Sequence, residues 1–323
     1  MQDLVTVFGG SGFLGSQVVR ALAKAGHRVR VAVRQPHLAG KMRLLGDVGQ
    51  VEIVQANVRN RASIDRALSG VRAGVNLVGI LYETGRQKFQ AVHTTGAQLI
   101  AASALAQGVE HMVQMSALGA DLDSPSEYAR SKAMGEAAVR EVFPGAVILR
   151  PSIIFGPGDN FFNRFAEMAV LSPVLPLIGG GHTRFQPVFV GDVAQAVQAV
   201  LTAPASAGLT YELAGPATYS FKALMDLVVA ETGRKRALLP LPFAVARMIG
   251  AVSEILALTP IAPPLTRDQV ELLRTDNVVS GAAPGLDDLG IAATAVEAIL
   301  PAYLYRFRKG GQYADETERL VAV

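Results

Sequence analysis

The amino-acid sequence predicts an α/β protein with a doubly wound parallel sheet and a smaller carboxyl-terminal α/β cap. Three observations support this prediction. Short β-rich runs alternate with helical runs in the first half of the chain, a glycine-rich turn joins the first strand to the first helix, and the alternation loosens after Arg150. Repeated βα units imply parallel strands, because crossover helices are the usual connection between such strands.

The spacing of apolar residues predicts the individual elements. Residues 5–8 are typical of a buried strand, and Leu14, Val18 and Leu22 then recur at helical spacing up to a stop at Gly26. Valines that alternate with arginines predict a half-buried strand over 29–33. Further strands are predicted at 51–55, 75–79, 111–116, 146–149, 186–190 and 210–213.

Composition excludes several classes of protein. Half of the 323 residues are hydrophobic and the net charge is only +3, which excludes disorder as the main state. Zero cysteines exclude a disulfide scaffold, a thiol catalyst and a cysteine zinc site. Five scattered histidines without ligand spacing predict no metal site, and the absence of a basic stripe interleaved with aromatics predicts no nucleic-acid partner.

The same patterns predict two domains. A dinucleotide-binding domain is expected over residues 1–150, with later strands and helices returning to it from 183–205. A cap over 151–323, with an apolar helix and a tail near its end, is expected to complete a substrate cleft. The chain enters its first strand without a basic leader, so we expect a cytoplasmic protein and no signal peptide.

The glycine-rich turn has the position and spacing of a Rossmann phosphate loop. Gly9 permits the tight turn, Gly12 lets the backbone approach a pyrophosphate, and Gly15 lets the helix pack closely on the sheet. The helix amino terminus then offers N–H groups to the phosphates. A ligand-free βα turn is the alternative. The loop residues expected to contact a dinucleotide are Gly9, Ser11, Gly12, Phe13, Leu14 and Gly15.

The residues that follow the next strands indicate which dinucleotide is bound. Arg34 ends the second strand where an NAD site usually places an acid, so NADPH is the preferred cofactor and NAD(H) the alternative. Asn57 and Val58 follow the third strand and are expected near the adenine, although Asn57 is also a common turn residue. Leu77, Val78 and Gly79 close the fourth strand at the edge where ligands bind.

A tyrosine and a lysine four residues apart are the candidate catalytic pair. Tyr128 and Lys132 share one helix face, and residues 124–127 resemble a capping box with Pro125 at the first helical position. An ammonium near Tyr128 lowers its pKa, and Ser116 at the end of the fifth strand would hold a substrate carbonyl. The alternative is that the pair only contacts the cofactor, without turnover.

Together these motifs resemble the short-chain dehydrogenase/reductase superfamily in its extended or atypical form. Residues 150–159 resemble the segment that flanks the nicotinamide in extended members, which implies cofactor contacts from Pro151 and Ile153. Residues 189–194 resemble the later strand-to-helix segment, where Asp192 is expected to be an N-cap. Asn57 departs from the Asp that extended members often carry.

A narrower resemblance is to the NAD(P)H-binding accessory subunits of respiratory complex I and their bacterial relatives. It is carried by residues 8–15, 76–79, 116–120 and 160–166. This resemblance implies a bound NADPH and a membrane-associated partner, either complex I subunits or the inner face of the energy-transducing membrane. It also implies a link to complex assembly or quinone metabolism. A freestanding NADP-dependent oxidoreductase or epimerase acting on a small molecule is the alternative function.

The carboxyl-terminal third contains two candidate docking segments. The helical pattern over 243–258 is apolar except for Arg247 and Glu254, so it must be buried either under the cap or against a membrane or subunit. Residues 303–309 mix aromatics with bases, which suits lipid headgroups or an acidic partner, and a solvated chain end is the alternative.

Overall fold

The structure is a computed structural model that describes residues 3–255 and 263–311. The chain forms two units that alternate along the sequence. The first unit contains residues 1–151, 190–213 and 279–292, and the second contains 152–189, 214–278 and 293–323.

Short strands and helices alternate along the described chain. The strands are β1 (Leu4–Phe8), β2 (Arg28–Val33), β3 (Val51–Gln55), β4 (Ala73–Asn76), β5 (His111–Met115), β6 (Val147–Pro151), β7 (Ile154–Phe155), β8 (Val174–Ile178), β9 (Arg184–Phe185), β10 (Val188–Phe189), β11 (Thr210–Leu213), β12 (Tyr219–Ser220) and β13 (Ala237–Leu241). The helices are α1 (Phe13–Lys24), α2 (Arg61–Leu68), α3 (Thr95–Ala106), α4 (Glu127–Val142), α5 (Phe162–Leu171), α6 (Val190–Thr202), α7 (Phe221–Thr232), α8 (Phe243–Ser253), α9 (Arg267–Leu272), α10 (Val296–Ile299) and α11 (Pro301–Leu304).

The first unit is built on a seven-stranded parallel sheet in the order β11-β6-β5-β4-β1-β2-β3. The order reverses beside β1, so the carboxyl ends of β1 and β4 meet at the topological switch point. Helix α1 buries Val18, Val19 and Leu22, the stripe that its four-residue spacing predicts. The doubly wound α/β fold predicted from the sequence is confirmed. Strand β11 belongs to this sheet, although its position in the chain groups it with the second half.

In the described part of the second unit, three two-stranded pairings accompany an aromatic core. Strands β7 and β10 pair in parallel, as do β8 and β13, while β9 and β12 are antiparallel. Phe155, Phe162 and Phe221 are almost fully buried in this core. Helix α7 contributes Leu224 and Val228 to the same cluster.

Two predicted helix starts are wrong. Helix α4 begins at Glu127 with Ser126 as its N-cap, since the Ser126 hydroxyl accepts from the Ala129 N–H at 3.2 Å. Pro125 therefore precedes the cap instead of starting the helix. Helix α6 begins at Val190, so Asp192 lies inside its first turn and is not an N-cap. At α4 two serines, Ser124 and Ser126, compete for the cap, whereas α6 begins at an apolar residue two positions before Asp192.

Several residues in the segment 303–309 make contacts within the second unit. Tyr303 is buried in the second unit and donates a hydrogen bond to Asp159 Oδ2 at 2.6 Å. Arg306 donates to Asn163 Oδ1 at 2.5 Å, and Arg308 pairs with Glu231. Tyr305, Arg306 and Lys309 are exposed. Contact of this segment with lipid headgroups or an acidic partner therefore stays a prediction, as does the alternative of a solvated chain end.

Helix α8 does not bury most of its circumference in this chain. Only Ala246, Gly250 and Ser253 of this helix are buried. Met248 is 70% exposed and Val252 is 69% exposed. Residues 256–258 of the predicted helix lie outside the described residues. No helix in the described part of the chain is long and apolar enough to cross a bilayer.

Candidate functional site

Three glycines shape the turn between β1 and α1. Gly9 has a φ of +79°, a conformation that favours glycine, and its N–H donates to the Ala32 carbonyl. A Cβ at Gly15 would lie 2.2 Å from the Gly9 carbonyl oxygen, so only glycine lets α1 start this close to the turn. A Cβ at Gly12 would meet only that oxygen, at 3.4 Å, so open space faces Gly12.

The amino terminus of α1 is open to an anion. Gly12 is its N-cap, no side chain caps it, and its first turn contains no acid. Ser11 is exposed, and Phe13 and Leu14 are half-buried beside it. The partial positive charge of the helix end and the space at Gly12 therefore fit a phosphate group.

Arg34 lies directly after β2, at the same edge of the sheet as the glycine turn. Its side chain is exposed and makes no hydrogen bond or ion pair with another described residue. No acid ends β2, since the chain continues with Gln35 and Pro36. A guanidinium in this position is available to a phosphate group.

Asn57 is engaged in a turn after β3. Its Oδ1 accepts from the Arg59 N–H at 3.1 Å, and its own N–H donates to Ser63 Oγ at 3.0 Å. Val58 is buried in a hydrophobic cluster of the first unit. The turn function that competes with adenine recognition is therefore present, and an adenine contact by either residue stays a prediction.

The loop after β4 lies between the glycine turn and the helix that carries Tyr128 and Lys132. A Cβ at Gly9 would lie 3.4 Å from Leu77 C and 3.3 Å from Val78 Cγ2. At the other end of the loop, a Cβ at Gly79 would lie 3.3 Å from Lys132 Nζ. The fold thus places the turn, this loop and Lys132 side by side.

The Ser116 hydroxyl is a buried polar group without a protein partner. The residue is 4% exposed, and Oγ has no hydrogen-bond partner among the described residues. An unpaired buried hydroxyl costs about 1–3 kcal/mol, so such groups usually have a function or a ligand. Its backbone is fixed, since the Ser116 N–H donates to the Leu149 carbonyl at 2.7 Å.

Lys132 is buried close to Ser116. Its Nζ donates to the Met115 carbonyl at 3.4 Å and lies 5.7 Å from the centre of the Tyr128 ring. Burial lowers the pKa of Lys132 from 10.5 to about 8, and the negative charge of Glu136 opposes part of this shift. No carboxylate in the described chain lies within 4.0 Å of Nζ, so this ammonium has donor capacity left for a ligand.

Glu136 is held by two arginines. Arg150 donates to both of its carboxylate oxygens at 2.8 Å, and Arg140 lies 3.8 Å away. This pairing raises the pKa of Arg150 and neutralises much of the charge that Lys132 would otherwise face. Lys132 therefore sits in a site that is short of negative charge.

Sequence reasoning missed a polar network at the ends of β4 and β5. Asn76 donates to Gln114 Oε1 at 2.8 Å, and Gln114 donates to the Met115 carbonyl at 3.0 Å. His93 also packs against Tyr128. A polar residue near the carboxyl end of each buried strand, Asn76 in β4 and Gln114 in β5, was the available signal.

Two further predicted site residues, Pro151 and Ile153, belong to different units. Pro151 ends β6 in the first unit, where its carbonyl accepts from the Leu118 N–H at 2.9 Å. Ile153 belongs to the second unit and is half-buried on the aromatic core there. Among the described residues, no group of three potential ligands could hold a metal ion.

Comparison with known proteins identifies relatives over most of the chain. Residues 5–214 match the model of the NAD dependent epimerase/dehydratase family. The subunit named NADH dehydrogenase [ubiquinone] 1 alpha subcomplex subunit 9, mitochondrial, from Mus musculus is 36% identical, with 91% of this chain and 78% of that protein covered. A ceramide reductase from Caulobacter vibrioides is 34% identical, with 63% of this chain and 62% of that protein covered.

A solved structure shares the fold at low sequence identity. The dTDP-glucose 4,6-dehydratase DesIV from Streptomyces venezuelae, with NAD and TYD bound, has a TM-score of 0.71 at 18% identity, with 98% of each chain covered. Fold similarity at this identity supports the architecture alone.

Proposed function

This chain belongs to the NAD-dependent epimerase/dehydratase family, and on that basis we propose that it is an NADPH-binding accessory protein of respiratory complex I. It would be a subunit, an assembly factor or a factor in the associated quinone metabolism. The observation that carries this proposal is 36% identity over 91% of the chain to a subunit of the mouse complex. The open glycine turn supports retention of the nucleotide.

The free Arg34 side chain supports NADPH over NADH. A carboxylate at the end of β2 would accept hydrogen bonds from a ribose 2′-hydroxyl and repel a 2′-phosphate. Arg34 reverses both effects, and it has no competing partner among the described residues. The N–H groups of Ser11 to Leu14 would hold the diphosphate, and Lys132 would donate to the nicotinamide ribose.

The exposed face of α8 supports attachment to a protein partner. Val245, Met248, Ile249 and Val252 follow helical spacing and are 43–70% exposed. A contiguous apolar face of this kind marks an interaction surface. We assign it to an apolar surface of a respiratory-complex subunit, because the 36% identical mouse relative is itself named as such a subunit.

The cofactor assignment is tested by fluorescence titration of the purified protein with NADPH and NADH. We expect tighter binding of NADPH by about tenfold, roughly 1.4 kcal/mol. In Arg34→Ala the two affinities should become equal through a loss of NADPH affinity alone. Equal affinities in the unmodified protein would contradict the assignment to NADPH.

The partner assignment is tested by affinity capture from native membranes, followed by mass spectrometry. Complex I subunits should be recovered with the unmodified protein and lost with the double variant Met248→Glu, Val252→Glu. Leu105→Glu on α3 is the matched control, because Leu105 is an exposed helical leucine in the first unit. Flotation with anionic vesicles in place of capture would instead indicate a lipid surface.

A second candidate function is a freestanding NADP-dependent oxidoreductase or epimerase. The unpartnered Ser116 hydroxyl favours it, because a carbonyl substrate would supply the missing hydrogen-bond partner. A bound nicotinamide supplies or accepts hydride in such enzymes. Tyr128 would then transfer the proton, with Lys132 favouring its phenolate.

Single-turnover assays with small carbonyl compounds test this second function. We expect Tyr128→Phe to abolish any oxidation of NADPH while retaining NADPH affinity within about twofold. NADPH that stays bound through dialysis and that no carbonyl compound oxidises would support the accessory function instead.

A further inference from the structure

His93 lies in a short π-helical turn, Gln90–Thr94, directly before α3. The residue is 2% exposed, and both ring nitrogens have partners. Nε2 lies 3.0 Å from the backbone N of Ile80, and Nδ1 lies 2.8 Å from Ser131 Oγ. One imidazole therefore contacts both the loop after β4 and the helix that carries Tyr128 and Lys132.

The hydrogen bonds determine which nitrogen carries the proton. Ser131 uses its single hydroxyl proton to donate to the Tyr128 carbonyl at 2.7 Å. Ser131 Oγ can therefore only accept from His93, which assigns the proton to Nδ1. Nε2 is then left as the acceptor for the Ile80 N–H, so the neutral Nδ1–H tautomer satisfies every partner.

The rest of the site is packed around this ring. Phe89 stacks on His93 with centroids 5.4 Å apart, and Tyr128 meets it edge-on at 5.5 Å. A Cβ at Gly135 would lie 2.2 Å from the His93 carbonyl oxygen, so α4 approaches this turn as closely as its backbone allows. Burial and the charge of Lys132 both oppose a second proton on His93.

We propose that neutral His93 is a positioning residue that fixes the loop at Gly79 and Ile80 relative to Tyr128 and Lys132. This inference rests on the proposed nicotinamide-binding function. A cofactor that lies along the loop after β4 would be aligned with the Tyr–Lys pair only while both imidazole hydrogen bonds are intact. His93 does not relay protons, because both nitrogens are engaged with protein groups.

The first measurement is the ¹⁵N NMR spectrum of the imidazole groups in the unmodified protein. We expect one histidine to show the Nδ1-protonated neutral pattern, unchanged between pH 5 and 8, and to disappear in His93→Phe. An Nε2-protonated or charged His93 signal in this range would overturn the proposal.

The second measurement is NADPH affinity in His93→Phe and Ser131→Ala. Phenylalanine preserves the ring stack but removes both hydrogen bonds, whereas alanine removes only the link to α4. We expect about tenfold weaker binding in each, with no further loss in the double variant, because both break one linkage. His111→Phe, at the opposite end of β5, is the control.

The affinity outcomes separate this proposal from the function on which it rests. If the unmodified protein binds neither NADPH nor NADH, the proposed function fails and the positioning role fails with it. If it binds NADPH and both variants bind equally well, only the positioning role fails. Ser131→Ala keeps the test decisive if His93→Phe does not fold.

Discussion

The two units depart from ordinary packing in opposite ways. The first unit buries polar groups that its own residues satisfy only in part: the Ser116 hydroxyl has no described partner, and the buried ammonium of Lys132 has one long hydrogen bond. In the second unit the buried carboxylate of Asp159 accepts from Tyr303 and from backbone N–H groups. The second unit departs from ordinary packing on its surface, where α8 exposes apolar side chains.

This contrast teaches where each kind of ligand would bind. Unsatisfied polar groups inside a fold cost stability and are kept where a small polar molecule completes them. Unsatisfied apolar groups on a surface are kept where a larger apolar surface covers them. The nucleotide and the partner are thus expected on separate units.

The largest effect is expected for a substitution in the glycine turn, where the first unit is proposed to bind the nucleotide. In Gly15→Ala the added Cβ would meet the Gly9 oxygen at 2.2 Å, so the turn must move. We expect a loss of about 3 kcal/mol in the free energy of unfolding and no measurable NADPH binding. Urea unfolding and fluorescence titration measure the two quantities.

Gly12→Ala and Gly40→Ala are the matched controls for that change. The Gly12 variant should cost less than about 1 kcal/mol in stability yet bind NADPH at least tenfold more weakly, because its Cβ enters the open space. Gly40 has no atom within 4 Å of an added Cβ and should change neither quantity. Unchanged NADPH affinity in the Gly12 variant would contradict the placement of the phosphates.

Removal of the buried Lys132 ammonium should have opposite effects on two quantities: the free energy of unfolding should rise and the affinity for NADPH should fall. The lowering of the Lys132 pKa from 10.5 to about 8 corresponds to a destabilisation of roughly 3 kcal/mol at neutral pH. We expect Lys132→Met to stabilise the cofactor-free protein by about 2 kcal/mol and to weaken NADPH binding.

The pH dependence of that difference is fixed by the direction of the pKa shift. Between pH 8 and 10.5 the native protein releases the Lys132 proton while the unfolded chain retains it, so the unmodified protein gains stability as the pH rises. The advantage of Lys132→Met should therefore shrink over this range. A constant difference would show that Lys132 is not buried as a cation.

An effect of comparable size, spread over the acid range, is expected for His93. Burial lowers the pKa of His93 from 6.5 to about 2, so below pH 6.5 only the unfolded chain takes up this proton. The protein should lose roughly 1.4 kcal/mol of stability per pH unit there from this group. His93→Phe should remove that slope in urea unfolding between pH 4.5 and 6.5. Phe89→Leu, which keeps the histidine, should retain it.

The smallest effect is expected on the exposed apolar face of α8. Met248 is 70% exposed, so Met248→Ser should change the free energy of unfolding by less than about 0.5 kcal/mol. Val270, fully buried against α8, should cost about 2 kcal/mol when truncated to alanine. A comparable loss in both variants would mean that the α8 face is covered within the isolated chain.

Local sequence patterns predicted most of the first unit. The predicted strands at 51–55 and 210–213 match β3 and β11. Those predicted nearest β1, β2, β5 and β6 end within two residues of them, and the one predicted at 75–79 runs three residues past the end of β4. The relation to extended short-chain dehydrogenases, predicted from the glycine turn and the Tyr–Lys spacing, is confirmed by the family match over residues 5–214. The roles of the individual site residues stay predictions.

The start of α4 was misplaced because Ser124 and Ser126 are both plausible caps. The start of α6 was misplaced because this helix begins at the apolar Val190, before the polar residue that suggested a cap. The contacts of His93 could not be predicted for a different reason. Its partners Ile80 and Ser131 are 13 and 38 residues away, so no local pattern reports their contact.

The sequence by itself determined the elements whose causes are local: the glycine turn, the apolar strands, and the helical spacing that puts Tyr128 and Lys132 on one face. The tertiary structure alone decided which side chains are left unsatisfied. Groups distant in the chain decide three properties: the hydrogen bonding of Ser116, the desolvation of the Lys132 ammonium, and the burial of the apolar face of α8. Burial and pairing are properties of the packed fold, and sequence spacing carries little information about them.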